Sequence, residues 1–137
     1  MIAVVSMGCR SASCKLPASE ARKYASILPG MSLVVGQKYY FDGVAFREFE
    51  DSGLMPTTEL DEETFEETKI LGAFCFKWTT SCPPDTGLPG PGLFRFRGVV
   101  LYVDDKANKG LPLGNQCRKG TVEILNVVSI DRFRLKD

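Results

Sequence analysis

Histidine is absent from all 137 residues of this chain. Its absence removes every mechanism that runs on imidazole: Ser-His-Asp and Cys-His catalytic units, H-E-x-x-H metal sites, zinc fingers of two cysteines and two histidines, and proton shuttles poised near neutral pH. No apolar run approaches the ~20 residues of a membrane-spanning helix. No Asn-x-Ser/Thr sequon occurs. Net charge is also missing, with 17 Lys+Arg against 17 Asp+Glu, so the chain lacks the basic excess from which dedicated nucleic-acid binders build phosphate affinity.

What is present is ordinary globular composition, 44% hydrophobic and 25% charged, in a length that suits one domain over residues 1–137. The zero charge hides a segregation. Residues 1–47 carry +4, residues 48–68 carry −9 with no basic residue, and residues 69–137 carry +5. The acidic block comprises Glu48, Glu50, Asp51, Glu59, Asp61, Glu62, Glu63, Glu66 and Glu67. Such a block could imitate a nucleic-acid backbone, dock on a basic partner through Glu59, Asp61, Glu62, Glu63, Glu66 and Glu67, or stand as a solvated loop.

The apolar start, Met1 to Val5, has no basic residue ahead of it and is too short for a secretory core, so it reads as a strand and not a signal. Five cysteines is an odd number in a chain long enough to fold without disulfides. That combination predicts free thiols, several buried, in a reducing compartment, either cytoplasm or virion.

Periodicity predicts a mainly β fold, an antiparallel β-barrel or β-sandwich with one short N-terminal helix. Ala21, Tyr24, Ala25 and Leu28 follow helical spacing between Pro17 and Pro29. Asp42-Gly43 predicts a type I′ hairpin turn that would pair Phe41 with Val44 and Tyr39 with Phe46 on one face. A short helix is expected from Asp61, where first-turn carboxylates meet the positive end of the helix dipole. Phe74, Phe76 and Trp78 alternate as a strand, as do Phe94 and Phe96 with Arg95 and Arg97. In the last strand Val122, Ile124, Val128 and Ile130 share a phase that breaks near Asp131, which predicts a bulge there. Residues 82–92 and 106–120 read as Pro/Gly-rich and polar loops.

Two short motifs carry catalytic associations. Asp85-Thr86-Gly87 resembles the tripeptide around the catalytic carboxylate of aspartic proteases, which implies Asp85 as acid/base, although Cys82-Pro83-Pro84 stands where that family has an apolar strand. Tyr102-Val103-Asp104-Asp105 resembles the metal-binding turn of reverse transcriptases, but the return strand, residues 106–110, is polar. Both fit turn chemistry. Cys9, Cys14, Cys82 and Cys117 are the best four-cysteine metal set; Cys14 beside Lys15 and Cys117 beside Arg118 are the thiols a cation would activate.

The leading expectation is a non-catalytic β-barrel or sandwich module for protein–protein assembly or regulation, such as a structural subunit of a viral or phage-like particle, with no cofactor, metal or membrane. One alternative is a nucleic-acid-binding barrel using Arg95, Arg97, Arg132 and Arg134 beside aromatic residues. Another is a small carboxylate- or thiol-dependent enzyme.

Overall fold

The structure is a computed structural model, and it describes residues 14–48, 51–79, 90–106 and 117–136. Five strands form one sheet: β1 (Lys38–Glu48), β2 (Asp51–Met55), β3 (Cys75–Trp78), β4 (Gly92–Asp104) and β5 (Thr121–Arg132), in the order β2-β1-β4-β5-β3. A bridge between Leu54 and Phe74, with N···O distances of 2.9 and 2.8 Å, brings the two outer strands together and nearly closes a barrel. All neighbours are antiparallel except β3 and β5.

The barrel lumen is filled by aromatic rings. Phe41 meets Phe74 edge-on at 6.3 Å and Phe96 at 5.9 Å, and Phe74 meets Tyr102 at 6.2 Å. Phe94 and Phe96 point in while Arg95 and Arg97 point out, as strand alternation requires.

The Asp42-Gly43 turn does not form. β1 runs straight through both residues, and every second side chain from Tyr39 to Ala45 faces the lumen. Val44 and Phe46 therefore face outward, apart from Tyr39 and Phe41. Gly43 is needed for a different reason than a positive φ: a Cβ there would strike the Met55 carbonyl and lie 3.0 Å from the Phe41 ring. Its lack of a side chain lets β2 approach.

The outer face of β1 is covered from two sides. At one end the N-terminal segment lies across β5, β4 and β1, with Leu16 N–H on the Val127 carbonyl at 3.0 Å and Tyr40 N–H on the Ala25 carbonyl at 2.8 Å. The predicted N-terminal helix shrinks to α1 (Ala18–Ala21), because from Ala25 onward the backbone bonds to β1 instead of to itself. Only Ala21 of α1 is buried, over Tyr40 and Val99, and Tyr24 and Leu28 stay exposed.

At the other end, α2 (Glu62–Leu71) lays Phe65 edge-on against Phe46 at 5.9 Å, joined by Leu60, Phe133 and Leu135. The helix from Asp61 is as expected, with a capping box: the Asp61 carboxylate accepts from Thr64 N–H, and the Thr64 hydroxyl accepts from Asp61 N–H, both at 2.8 Å.

The β5 irregularity lies upstream of Asp131. Register breaks opposite residues 97–100 leave Leu125 and Val128 without partners on β4. Val127 turns into the lumen, and Leu125 and Val128 turn out under the N-terminal segment.

Candidate functional site

The two coverings of β1 do not meet. Between them a groove runs over the outer surface, formed by two recesses that share Pro29, Pro56 and Thr57. One, of about 340 Å³, is floored by Tyr40, Asp42 and Arg95 and walled by Ile27, Leu28 and Thr58. The other, of about 310 Å³, extends to Glu67, Leu71 and Lys119.

Tyr40 and Asp42 face the first recess because they are successive outward residues of β1. Arg95 of β4 forks the Asp42 carboxylate, Nε to Oδ1 at 2.7 Å and Nη2 to Oδ2 at 2.9 Å. That hydrogen bonding holds the guanidinium above its ordinary pKa, against a smaller opposing effect of burial. Side-chain exposures of 39% and 35% keep the net value of the pair below about 1 kcal/mol. Among the described residues the buried Tyr40 hydroxyl has no hydrogen-bond partner. Its two chain-mates in the lumen are satisfied: the Tyr39 hydroxyl accepts from Val34 N–H at 2.8 Å, and the Tyr102 hydroxyl donates to the Lys119 carbonyl at 2.9 Å. Burial raises the Tyr102 pKa, with the Asp105 and Asp104 charges adding to it.

Beside the second recess, α2 turns Glu62, Glu63, Glu66 and Glu67 to solvent, and the stripe ends in exposed Ile70 and Leu71. The other predicted acidic contacts are engaged: Asp61 caps the helix, Glu59 pairs with Lys136, and Glu66 shares Lys69 with Glu48 at 3.1 and 2.9 Å. Burial opposes the charge on Lys69, yet its bonds to Glu48 and Glu66 raise its pKa overall. Among the described residues Glu62, Glu63 and Glu67 have no ion pair.

The four arginines have different surroundings. Arg95 is forked by Asp42, Arg97 Nε donates to the Ser129 hydroxyl at 2.9 Å, and Arg132 sits 5.2 Å over the ring of buried Phe94. Arg134 is exposed. Phe94 and Phe96 are inside the barrel, and Tyr24 is the sole aromatic among the exposed large hydrophobic side chains of the described residues.

The free-thiol expectation fails for Cys75 and Cys117, which form a disulfide with Cα atoms 4.9 Å apart. The bond arises because Cys75 opens β3 with its N–H on the Gly120 carbonyl, while Cys117 lies in the turn leading into β5. Cys14 is also oxidised. Cys117 therefore has no thiolate to give to a metal or a substrate, and Cys9 and Cys82 of the candidate metal set lie outside the described residues. Among the described residues no three His, Cys, Asp or Glu side chains cluster as metal ligands. Asp85 also lies outside them. Asp104 and Asp105 are exposed at the end of β4, where Asp104 Oδ1 accepts from Lys106 N–H at 2.8 Å, a turn contact.

Sequence reasoning found the acidic stripe but missed the Tyr40 recess. The Asp42-Gly43 dipeptide was the residue signal nearest to it, and turn chemistry absorbed that signal. No family model, curated protein or solved structure matches this chain.

Proposed function

We propose that the protein is a non-catalytic docking module that receives a basic, extended segment of a partner protein along the outer groove. One observation carries this reading: a groove with apolar walls at Pro29, Pro56 and Leu71 has the carboxylate Glu67 on its lining, and the same helix carries Glu62 and Glu63; among the described residues none of the three has an ion pair. Apolar walls hold side chains by burial, and a row of like charges selects a partner of opposite sign and speeds its arrival. Exposed ion pairs contribute a few tenths to 1 kcal/mol each, so three of them set preference rather than bulk affinity.

The test uses a capped synthetic peptide alternating Lys with Leu and Val, and its counterpart with Glu for Lys. Fluorescence anisotropy at low salt should register the basic peptide and not the acidic one. Combining Glu62→Gln, Glu63→Gln and Glu67→Gln should weaken it about tenfold, an effect that fades as salt rises. Equal binding of both peptides, or an unaffected triple variant, overturns the proposal.

The barrel itself supports a second reading. Small, partly open five-stranded barrels recur as platforms for oligonucleotides, and among the described residues Arg97 and Arg134 form no ion pair. Single-stranded oligothymidine binding more tightly than the basic peptide would decide for that reading.

A further inference from the structure

We propose that the recess at Tyr40 captures the main chain of one extended residue of the docked segment, its carbonyl oxygen accepting from the Tyr40 hydroxyl. The inference rests on the docking reading above and names the contact that fixes the segment's register.

Three observations converge on this recess. Tyr40 is 6% exposed, and among the described residues its hydroxyl has no hydrogen-bond partner, a state that buried donors rarely keep. Arg95, on the same floor, spends one N–H from Nε and one from Nη2 on Asp42, which leaves three of its five donors uncommitted. The recess is thus rich in donors without being positive, because Asp42 stands against Arg95 on its lining, and Glu59, also on the lining, is paired with Lys136. A neutral carbonyl suits that balance better than a phosphate or carboxylate, which would meet the Asp42 carboxylate.

The third observation is a missing rung in the sheet. On the β1 edge away from β4, Tyr40 exchanges hydrogen bonds with the segment at Ala25 and Ile27, N···O 2.8 and 3.0 Å. β2 takes over that edge from Val44, opposite Met55. Asp42 lies between, paired by neither, and its main-chain groups share the edge of Tyr40 and Val44 because strand residues two apart point the same way. An extended residue inserted there continues the ladder, as in recognition by strand addition. Its flanking side chains then meet Pro29 and Pro56, and the next basic residues reach toward Glu67.

Tyr40→Phe keeps the ring and removes the hydroxyl. It should weaken the basic peptide about tenfold without changing the salt dependence, since the lost contact is a neutral hydrogen bond. It should also raise the Tm of the free protein by about 3 °C, because an unsatisfied buried group is gone; a tyrosine with a structural role would lower it. A set of probe peptides, each with one backbone amide changed to an ester, gives the position. One ester should weaken binding to the wild-type protein and cost nothing further in Tyr40→Phe. If Tyr40→Phe binds as wild type while the triple glutamine variant is weakened, this inference falls and the docking reading stands. If the basic peptide does not bind the wild-type protein, both fall.

Discussion

The two faces of β1 meet the same requirement in different ways. Facing the lumen, Tyr39, Phe41 and Ala45 belong to one core of buried side chains, and the Tyr39 hydroxyl is satisfied by Val34 N–H within the chain. Facing outward, Tyr40, Asp42, Val44 and Phe46 have no sheet opposite them and depend on two separate coverings, the N-terminal segment and α2. The lumen is complete by construction, since a barrel turns all its inward residues on each other. The outer face is complete only where a segment reaches, and where the two fail to meet there remain a phenol without a hydrogen-bond partner among the described residues and a guanidinium that spends two of its five donors on Asp42. Unfinished packing of this kind is where a partner gains the most from binding.

The largest test of that contrast is truncation on each face. Phe41→Ala should cost about 3–5 kcal/mol in urea unfolding, because the cavity opens among Phe74, Phe96 and other buried rings that cannot collapse into it. Leu28→Ala, at a position 61% exposed on the rim of the groove, should stay within about 0.5 kcal/mol. Comparable losses at the two positions would mean that the N-terminal covering is as integral as the lumen.

A smaller effect belongs to the covalent tie. The Cys75–Cys117 bond closes a loop with a sequence separation of 42 and holds the start of β3 beside the start of β5. Reduction, or Cys75→Ser, should lower stability by about 2–4 kcal/mol. The loss concerns the one parallel pair of the barrel, so hydrogen exchange should rise first at Phe76 and Trp78 and leave the β1–β4 pairing protected. Uniform exchange across all five strands would show that the tie supports the whole lumen.

The lumen was legible in the sequence and the outer face was not, for a physical reason. Alternation at Phe74, Phe76, Trp78, Phe94 and Phe96 is a local signal, and it places inward residues whatever the neighbouring strands are. Asp42-Gly43 carries a local signal too, but two distant residues overrule it: Arg95 holds the Asp42 carboxylate, and the Met55 carbonyl occupies the space a side chain at 43 would need. The phase of β5 fails in the same manner. Val128 leaves the inward set because the register shifts against β4, where a Cβ at Gly98 would strike the Asn126 carbonyl. The Cys75–Cys117 pairing likewise depends on which strands become neighbours. The acidic stripe could be read from composition, whereas the Tyr40 recess exists only because two segments stop short of each other.

The smallest expected effect distinguishes a locked carboxylate on α2 from the free ones beside it. Asp61 is held below the ordinary aspartate pKa of 3.8 by the Thr64 main-chain N–H and then by the Thr64 hydroxyl. A carboxyl whose pKa is lower in the folded than in the unfolded chain contributes its stabilisation in full above the unfolded value, and loses it as pH falls from there through the folded value. The first turn of α2 should therefore loosen as pH drops below about 4, with Thr64 N–H exchanging faster. Asp61→Asn keeps a good N-cap that cannot titrate. Its Thr64 exchange should be flatter with pH than in the wild-type protein, while Glu62→Gln, at a side chain without an ion pair, leaves the wild-type slope in place. Equal slopes in wild type and Asp61→Asn would mean that the acid sensitivity of this covering comes from its ion pairs, Glu59 with Lys136 and Glu48 with Lys69, and not from the cap. Phe65 would then be held on Phe46 by charge pairs at the rim of the helix, and the acidic stripe would be part of the covering itself as well as a surface for a partner.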